Sequence, residues 1–155
     1  MFVTKDFTPP ELKTDRYIAR KLQVKDVYLD YIAVMDSIDI IHKTRGLNSW
    51  PTPELTIEDD MIDLGWHQRE FEFKNSFAFT IMNPDETECL GCMYFYQAKE
   101  PEYEAEVSWW VTTKAYKEGL YDVVSRDIKS WVKNEWPMKN VKYANKFLPE
   151  GFENW

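Results

Sequence analysis

Three apolar segments with strand character, Phe77–Met82, Cys89–Gln97 and 104–112, follow one another across short polar gaps, Asn83-Pro84-Asp85 and Lys99-Glu100-Pro101-Glu102. Strand-length runs separated by turn residues predict an antiparallel meander. Directly after it, Leu120, Val123, Val124, Ile128, Trp131 and Val132 recur at the three- and four-residue steps of one helix face. Trp136-Pro137 stops that helix, and Val141-Lys142-Tyr143-Ala144 reads as a short strand. Strand, helix, strand in this order implies a right-handed crossover and a parallel pair.

Upstream, the segment to Thr14 carries Pro9-Pro10 and reads as an extended lead-in, and residues 17–22 alternate as a first strand. Asp26 precedes Val27, Tyr31, Val34, Met35 and Ile38, the spacing of a first helix. Residues 40–53, with Gly46 and two prolines flanking Thr52, read as a loop. Thr56-Ile57-Glu58-Asp59 resembles a capping box with Asp in place of Glu, opening a second helix to about Phe73 with Ile57, Met61, Leu64 and Phe71 inward. The expectation is a mixed-sheet α/β (α+β) fold formed by residues 1–155 as one domain.

The balance of 19 Lys plus Arg against 27 Asp plus Glu, a formal charge of −8, gives no general attraction for nucleic acid or anionic lipid. Seven Trp, nine Tyr and nine Phe exclude a disordered chain. The first residues contain no apolar stretch of signal-peptide length, and no run approaches the ~20 apolar residues of a membrane span, so a cytoplasmic location is expected.

The element order over about residues 9 to 144, with Pro10-Glu11-Leu12-Lys13-Thr14-Asp15-Arg16 before the first strand, resembles the GNAT superfamily of acyl-CoA-dependent N-acetyltransferases. In that family a loop of pattern Gln/Arg-x-x-Gly-x-Gly/Ala, between a strand and the long helix, holds the coenzyme A pyrophosphate with backbone amides and a helix N-terminus. The corresponding stretch here runs from Val111 to Tyr121. Gly119 matches the first glycine, while Tyr116 and Tyr121 replace the Gln/Arg and the final Gly/Ala. Glu118 puts a carboxylate where a diphosphate would lie, offset in part by Lys114 and Lys117.

The resemblance implies acetyl-CoA as acyl donor, bound by Trp110, Val111, Thr112, Lys117, Gly119, Leu120 and Tyr121, with backbone N–H groups over 110–112 polarising the thioester carbonyl. The acceptor is an amine of a small molecule or peptide. A base must deprotonate it. The family's glutamate on the strand before the loop falls at Ala105 by ungapped counting, flanked by Glu104 and Glu106, and Glu106, deeper in the strand, is the first candidate. The family's further helix and two strands, the helix often bearing a general-acid Tyr, exceed the eleven residues after Ala144.

Three other constellations stand out. Cys89-Leu90-Gly91-Cys92 has Cys-x-x-Cys spacing, but on a regular strand residues three apart face opposite sides, so two buried small hydrophobes and no metal site are expected. His42 and His67 lack the i, i+4 partner of a helical metal pair. His67 faces a cleft between helix and sheet or, on the plainer reading, is an exposed or locally bonded helix histidine. Trp109 and Trp110 must point to opposite faces, one lining a cleft or both filling a sheet covered on two sides.

Two functional readings stay open: an N-acetyltransferase, favoured by Gly119 and the strand–loop–helix context, and a non-catalytic ligand- or protein-binding module, favoured by Tyr116, Glu118 and Tyr121. A homodimer joined through the edge at 141–144 or the tail aromatics Phe147, Phe152 and Trp155 would complete a missing wall.

Overall fold

The computed structural model describes residues 2–146. Six strands form one sheet in sequence order: β1 (Leu12–Lys13), β2 (Ile18–Lys21), β3 (Phe77–Met82), β4 (Cys89–Gln97), β5 (Ala105–Val111) and β6 (Val141–Tyr143). All neighbours are antiparallel except β5 and β6, whose parallel pairing covers only Ala105–Val107 against Val141–Tyr143. The meander and the parallel pair expected from the sequence are therefore present.

Five helices cover the sheet: α1 (Val27–Met35), α2 (Ile38–Arg45), α3 (Ile57–Glu72), α4 (Thr113–Lys117) and α5 (Leu120–Glu135). α5 closes one face. Its Leu120, Tyr121, Val124, Ile128, Trp131 and Val132 join Phe77, Phe79, Ile81, Met93, Phe95, Val107 and Trp109 in one core. Each large apolar side chain so buried contributes about 1.5–3 kcal/mol. On the other face α1, α2 and α3 bury Val27, Val34, Ile41 and Leu64 against Ala78, Cys92, Tyr94 and Trp110. Both tryptophans of β5 are thus fully interior, each with its indole N–H satisfied: Trp109 Nε1 donates to Ser125 Oγ at 3.0 Å and Trp110 Nε1 to Tyr94 Oη at 2.9 Å.

Three local expectations change. Residues 38–45, read as the end of one helix and the start of a loop, form a separate helix. The chain turns at Asp36–Ser37, where the Ser37 backbone leaves the helical region at φ −133° and its hydroxyl accepts from the Thr113 N–H at 3.0 Å, and Gly46, left-handed at φ +66°, ends α2. On α3 the capping box forms, Thr56 Oγ1 accepting from Asp59 N and Asp59 Oδ2 from Thr56 N. Ile57, Leu64 and Phe71 do pack inward, but Asp60 and His67 are buried beside them and Met61 is 42% exposed.

The third change is at Cys89 and Cys92, which lie on the same face. The register with β3 passes from Ile81 opposite Gly91 to Met82 opposite Cys89, so Leu90 is an extra, bulged residue. A one-residue insertion inverts the alternation on one side of it. Gly91 permits this because β5 lies directly against it: a Cβ there would meet the Trp110 carbonyl oxygen at 2.0 Å.

Candidate functional site

β5 and β6 part after Val107. The last backbone link is Ala144 N to Val107 O at 3.0 Å, and the next rung is made by a side chain. Asn145 Oδ1 accepts from the Trp109 N–H at 2.9 Å, and Asn145 Nδ2 donates to the Trp109 carbonyl at 2.8 Å and to Tyr121 Oη at 2.8 Å. Tyr121 Oη donates in turn to the Lys146 carbonyl at 3.2 Å, and Lys146 N donates to Thr44 O at 2.7 Å. The chain after β6 therefore crosses the parted strands and reaches α2 at Lys146.

Strand alternation decides which β5 amides face the parting. Thr112 N donates to Leu90 O at 2.8 Å, so the N–H groups of Trp110 and Thr112 turn toward β4, and those of Trp109 and Val111 toward the parting. Of the expected carbonyl-polarising stretch 110–112, only Val111 has this direction. The Trp110 side chain is interior, under the helices.

The segment expected as a phosphate loop is mostly the short helix α4. Its Thr112 cap accepts from Ala115 N at 3.2 Å, Tyr116 N donates to Thr112 O, Glu118 N to Lys114 O and Gly119 N to Tyr116 O. These amides are engaged. The donors left for a ligand by helix geometry are the first-turn N–H groups of α5, at Leu120 to Asp122. Gly119 caps that helix at φ +82° with nothing within 4 Å of where a Cβ would stand, so the approach is open. Lys117 is exposed, Leu120 and Tyr121 are buried, and Asp122 adds an acid to the first turn. Arg16, from before β2, brings a cation to the loop by donating to Glu118 O at 3.3 Å. Sequence reading missed Arg16 and Asn145, which reach the site from sequence separations of 102 and 36 residues.

Beside the loop, a cavity of about 680 Å3 lies between α1, the β3–β4 turn and α4, its wall including Ile32, Asp36, Glu88, Thr113, Lys117 and Glu118. Lys114 Nζ, also in that wall, stands 3.7 Å from Glu88.

Glu106 is half-buried near the start of β5, on the face covered by α1–α3, in a cross-strand row with Tyr96 and Lys142. Lys142 Nζ is 3.5 Å from its carboxylate and also bonds Glu100, the contact that most raises the ammonium above its ordinary value. Two residues on, Ser108 Oγ accepts from Arg45 Nη2 at 3.5 Å, and the Arg45 guanidinium lies 4.6 Å from the Tyr94 ring centre. Burial pushes the neighbouring Tyr96 hydroxyl up to about 12. His67 is buried, its Nε2 3.6 Å from Asp63 and its ring against Trp66 and Tyr94, so it is locally bonded, away from the loop. The tail aromatics Phe147, Phe152 and Trp155 lie outside the described residues.

No protein-family model and no curated protein sequence matches the chain. Solved structures do. A probable acetyltransferase superimposes with a TM-score of 0.66 at 13% identity, over 84% of this chain and 71% of that one. RimL, the ribosomal L7/L12 α-N-protein acetyltransferase in complex with coenzyme A, gives 0.60 at 13% identity over 79% and 67%. A GNAT-family acetyltransferase from Bacillus anthracis gives 0.55 at 17% identity over 80% and 67%. The sheet order, the parted parallel pair and these superpositions together identify the architecture as the GNAT acetyltransferase fold.

Proposed function

We propose that the chain is an acyl-CoA-dependent N-acetyltransferase. The observation that carries this reading is the parting of β5 from β6 after Val107, with the N-terminus of α5, free of a side-chain cap bond, at Gly119 at the far end of β5. A diphosphate fits the first-turn N–H groups of α5, with Arg16 and Lys117 as nearby cations. The RimL structure with coenzyme A and the microcin self-immunity acetyltransferase MccE with acetyl-CoA and AMP support acetyl-CoA as the donor.

In this reading the Val111 N–H donates to the thioester carbonyl and concentrates charge on its oxygen in the transition state. Glu106, through a chain of waters, takes a proton from the acceptor ammonium. The amine nitrogen then forms the C–N bond as the C–S bond breaks and gives up its second proton to solvent, and the leaving thiolate takes a proton from solvent. Asp36, Glu88 and Glu118 in the neighbouring cavity suit an acceptor that arrives as a cation, the amine of a small molecule or peptide.

A specific contact favours a second reading. The Asn145 carboxamide already occupies both the N–H and the C=O of Trp109, the pair an extended ligand in the parting would use. A module that kept the fold and lost the chemistry would be closed in this way. Calorimetric titration with acetyl-CoA, then coenzyme A, separates the two. Micromolar binding, reduced at least tenfold by Gly119→Asp, supports the transferase. Absence of binding at millimolar ligand overturns it in favour of the binding module.

A further inference from the structure

Beneath α1 and α3, on the face of β4 away from α5, four chemically reactive side chains meet in the interior. The Cys89 and Cys92 sulfurs and an Asp30 carboxylate oxygen all lie within 4.8 Å of one another, and all three residues are buried. Asp60, 0% exposed, stands beside Asp30, the two buried carboxyls sharing one hydrogen bond.

Hydrogen bonding alone does not account for this cluster. Thiols are weak donors. Cys89 Sγ is already directed at the Gly91 carbonyl at 3.4 Å, and Cys92 Sγ at Asp30 Oδ1 at 3.5 Å. A cation would hold both sulfurs and the Asp30 carboxylate together in place of these weak thiol contacts.

We propose that Asp30, Cys89 and Cys92 hold a buried tetrahedral zinc ion that ties α1 to β4, with solvent from the neighbouring cavity in the fourth position and Asp60 beside the Asp30 carboxylate. Tetrahedral zinc with Zn–S near 2.3 Å and Zn–O near 2.0 Å sets S···O separations at about 3.5 Å and S···S at about 3.8 Å. The Cys92–Asp30 distance of 3.5 Å has that value. The Leu90 bulge is what makes the set, since a regular strand would turn one thiol to the α5 side. Asp30 belongs to the first turn of α1, where the helix dipole offsets part of the negative charge that three anionic ligands carry beyond the metal's. Mixed thiolate and carboxylate donors at tetrahedral spacing suit zinc, while calcium and magnesium take oxygen ligands in larger numbers. Leu29, Ala33 and Cys89 also line the 680 Å3 cavity, which gives an ion a route to the cluster. On binding, the ion takes the sulfur and carboxylate lone pairs and the displaced thiol and carboxyl protons pass to solvent. No other bond changes.

The test uses the whole chain and is independent of acyl-CoA binding. Protein purified reducing from zinc-supplemented cells is assayed for metal per chain, stripped with chelator, and titrated with zinc and with cobalt(II). The expected results are one zinc per chain and a Tm rise of roughly 5–10 °C at a hundredfold excess over the dissociation constant. The cobalt form should show thiolate charge-transfer absorption and tetrahedral bands. Cys92→Ser should abolish the charge-transfer intensity contributed by that thiol, and Asp30→Asn should weaken affinity at least tenfold. The wild-type chain alone decides the matter if a variant fails to fold. No retained metal together with no Tm response to zinc overturns the proposal. So does a cobalt spectrum without thiolate absorption, or a Cys89–Cys92 disulfide in protein kept anaerobic.

Discussion

Asn145 grips Trp109 by both polar groups of its backbone, accepting from the N–H at 2.9 Å and donating to the C=O at 2.8 Å. One carboxamide thereby replaces a rung of the β5–β6 ladder at the point where the strands separate, and its second N–H bond to Tyr121 ties that rung to α5. Asn145→Ala leaves a buried N–H and C=O unpaired, a cost of about 1–3 kcal/mol. Asn145→Asp should cost more, because a carboxylate accepts from the Trp109 N–H but cannot donate to the carbonyl or to Tyr121. Urea unfolding midpoints for the three proteins check this order. Equal midpoints for wild type and Asn145→Ala would refute the clamp.

Gly91 is fixed by contact. A methyl group at this position would stand 2.0 Å from the Trp110 carbonyl oxygen and 2.9 Å from Val111 Cα, both backbone atoms of β5. Gly91→Ala should therefore destabilise by about 3 kcal/mol or more, at the upper end of what overpacking costs. Gly119→Ala meets open space, and its cost is limited to about 1–2 kcal/mol for a left-handed residue. Thermal unfolding of the pair compares steric with conformational penalty. A larger loss at Gly119 than at Gly91 would contradict the packing of β4 on β5.

The strands were legible because their apolar runs are dense and their gaps short: β3 and β4 coincide with the segments read from sequence. α5 was legible because Val124, Ile128, Trp131 and Val132 keep one face over about two turns. The phase of α3 was not, since its inward row contains Asp60 and His67, polar residues that no hydrophobic pattern marks. The Cys89–Cys92 geometry was hidden for a related reason. A bulge is a pairing event between strands, and its local signal was a single glycine. At the candidate site, Gly119 was read from sequence as the residue before the long helix. Asn145 and Arg16 were not, because their roles exist only once distant segments pack.

Glu104 gives the fold an acid-sensitive contact. Its Oε2 accepts from Lys139 N at 2.7 Å and Asn140 N at 2.9 Å, closing the turn into β6, and the Asn140 amide is the main cause holding its carboxyl below the ordinary 4.5. A carboxyl lowered in the folded state binds protons more tightly when unfolded, so its contribution is present above about pH 4.5 and is lost as pH falls through the folded value. Glu104→Gln should thus lower the urea midpoint at pH 7 and make little difference at pH 3. A gap that persists undiminished at pH 3 would show that charge is not involved.

Glu106 is the residue on which the transferase reading makes its sharpest kinetic demand. It lies five residues before Val111, roughly 16 Å along the strand, so the proton must travel from the acceptor nitrogen to the base through a chain of waters. Lys142 holds the carboxylate from the β6 side at 3.5 Å, which fixes its position without covering the α1–α3 face. Glu106→Gln keeps the shape and removes the proton acceptor, and should lower kcat by about 10²–10⁴-fold while leaving the dissociation constant of acetyl-CoA within twofold. Lys142→Met should release the carboxylate and reduce kcat less. Should Glu106→Gln retain full turnover with an acceptor that the wild type acetylates, proton removal belongs to another group and Glu106 is a sheet-edge ion-pair partner of Lys142 alone.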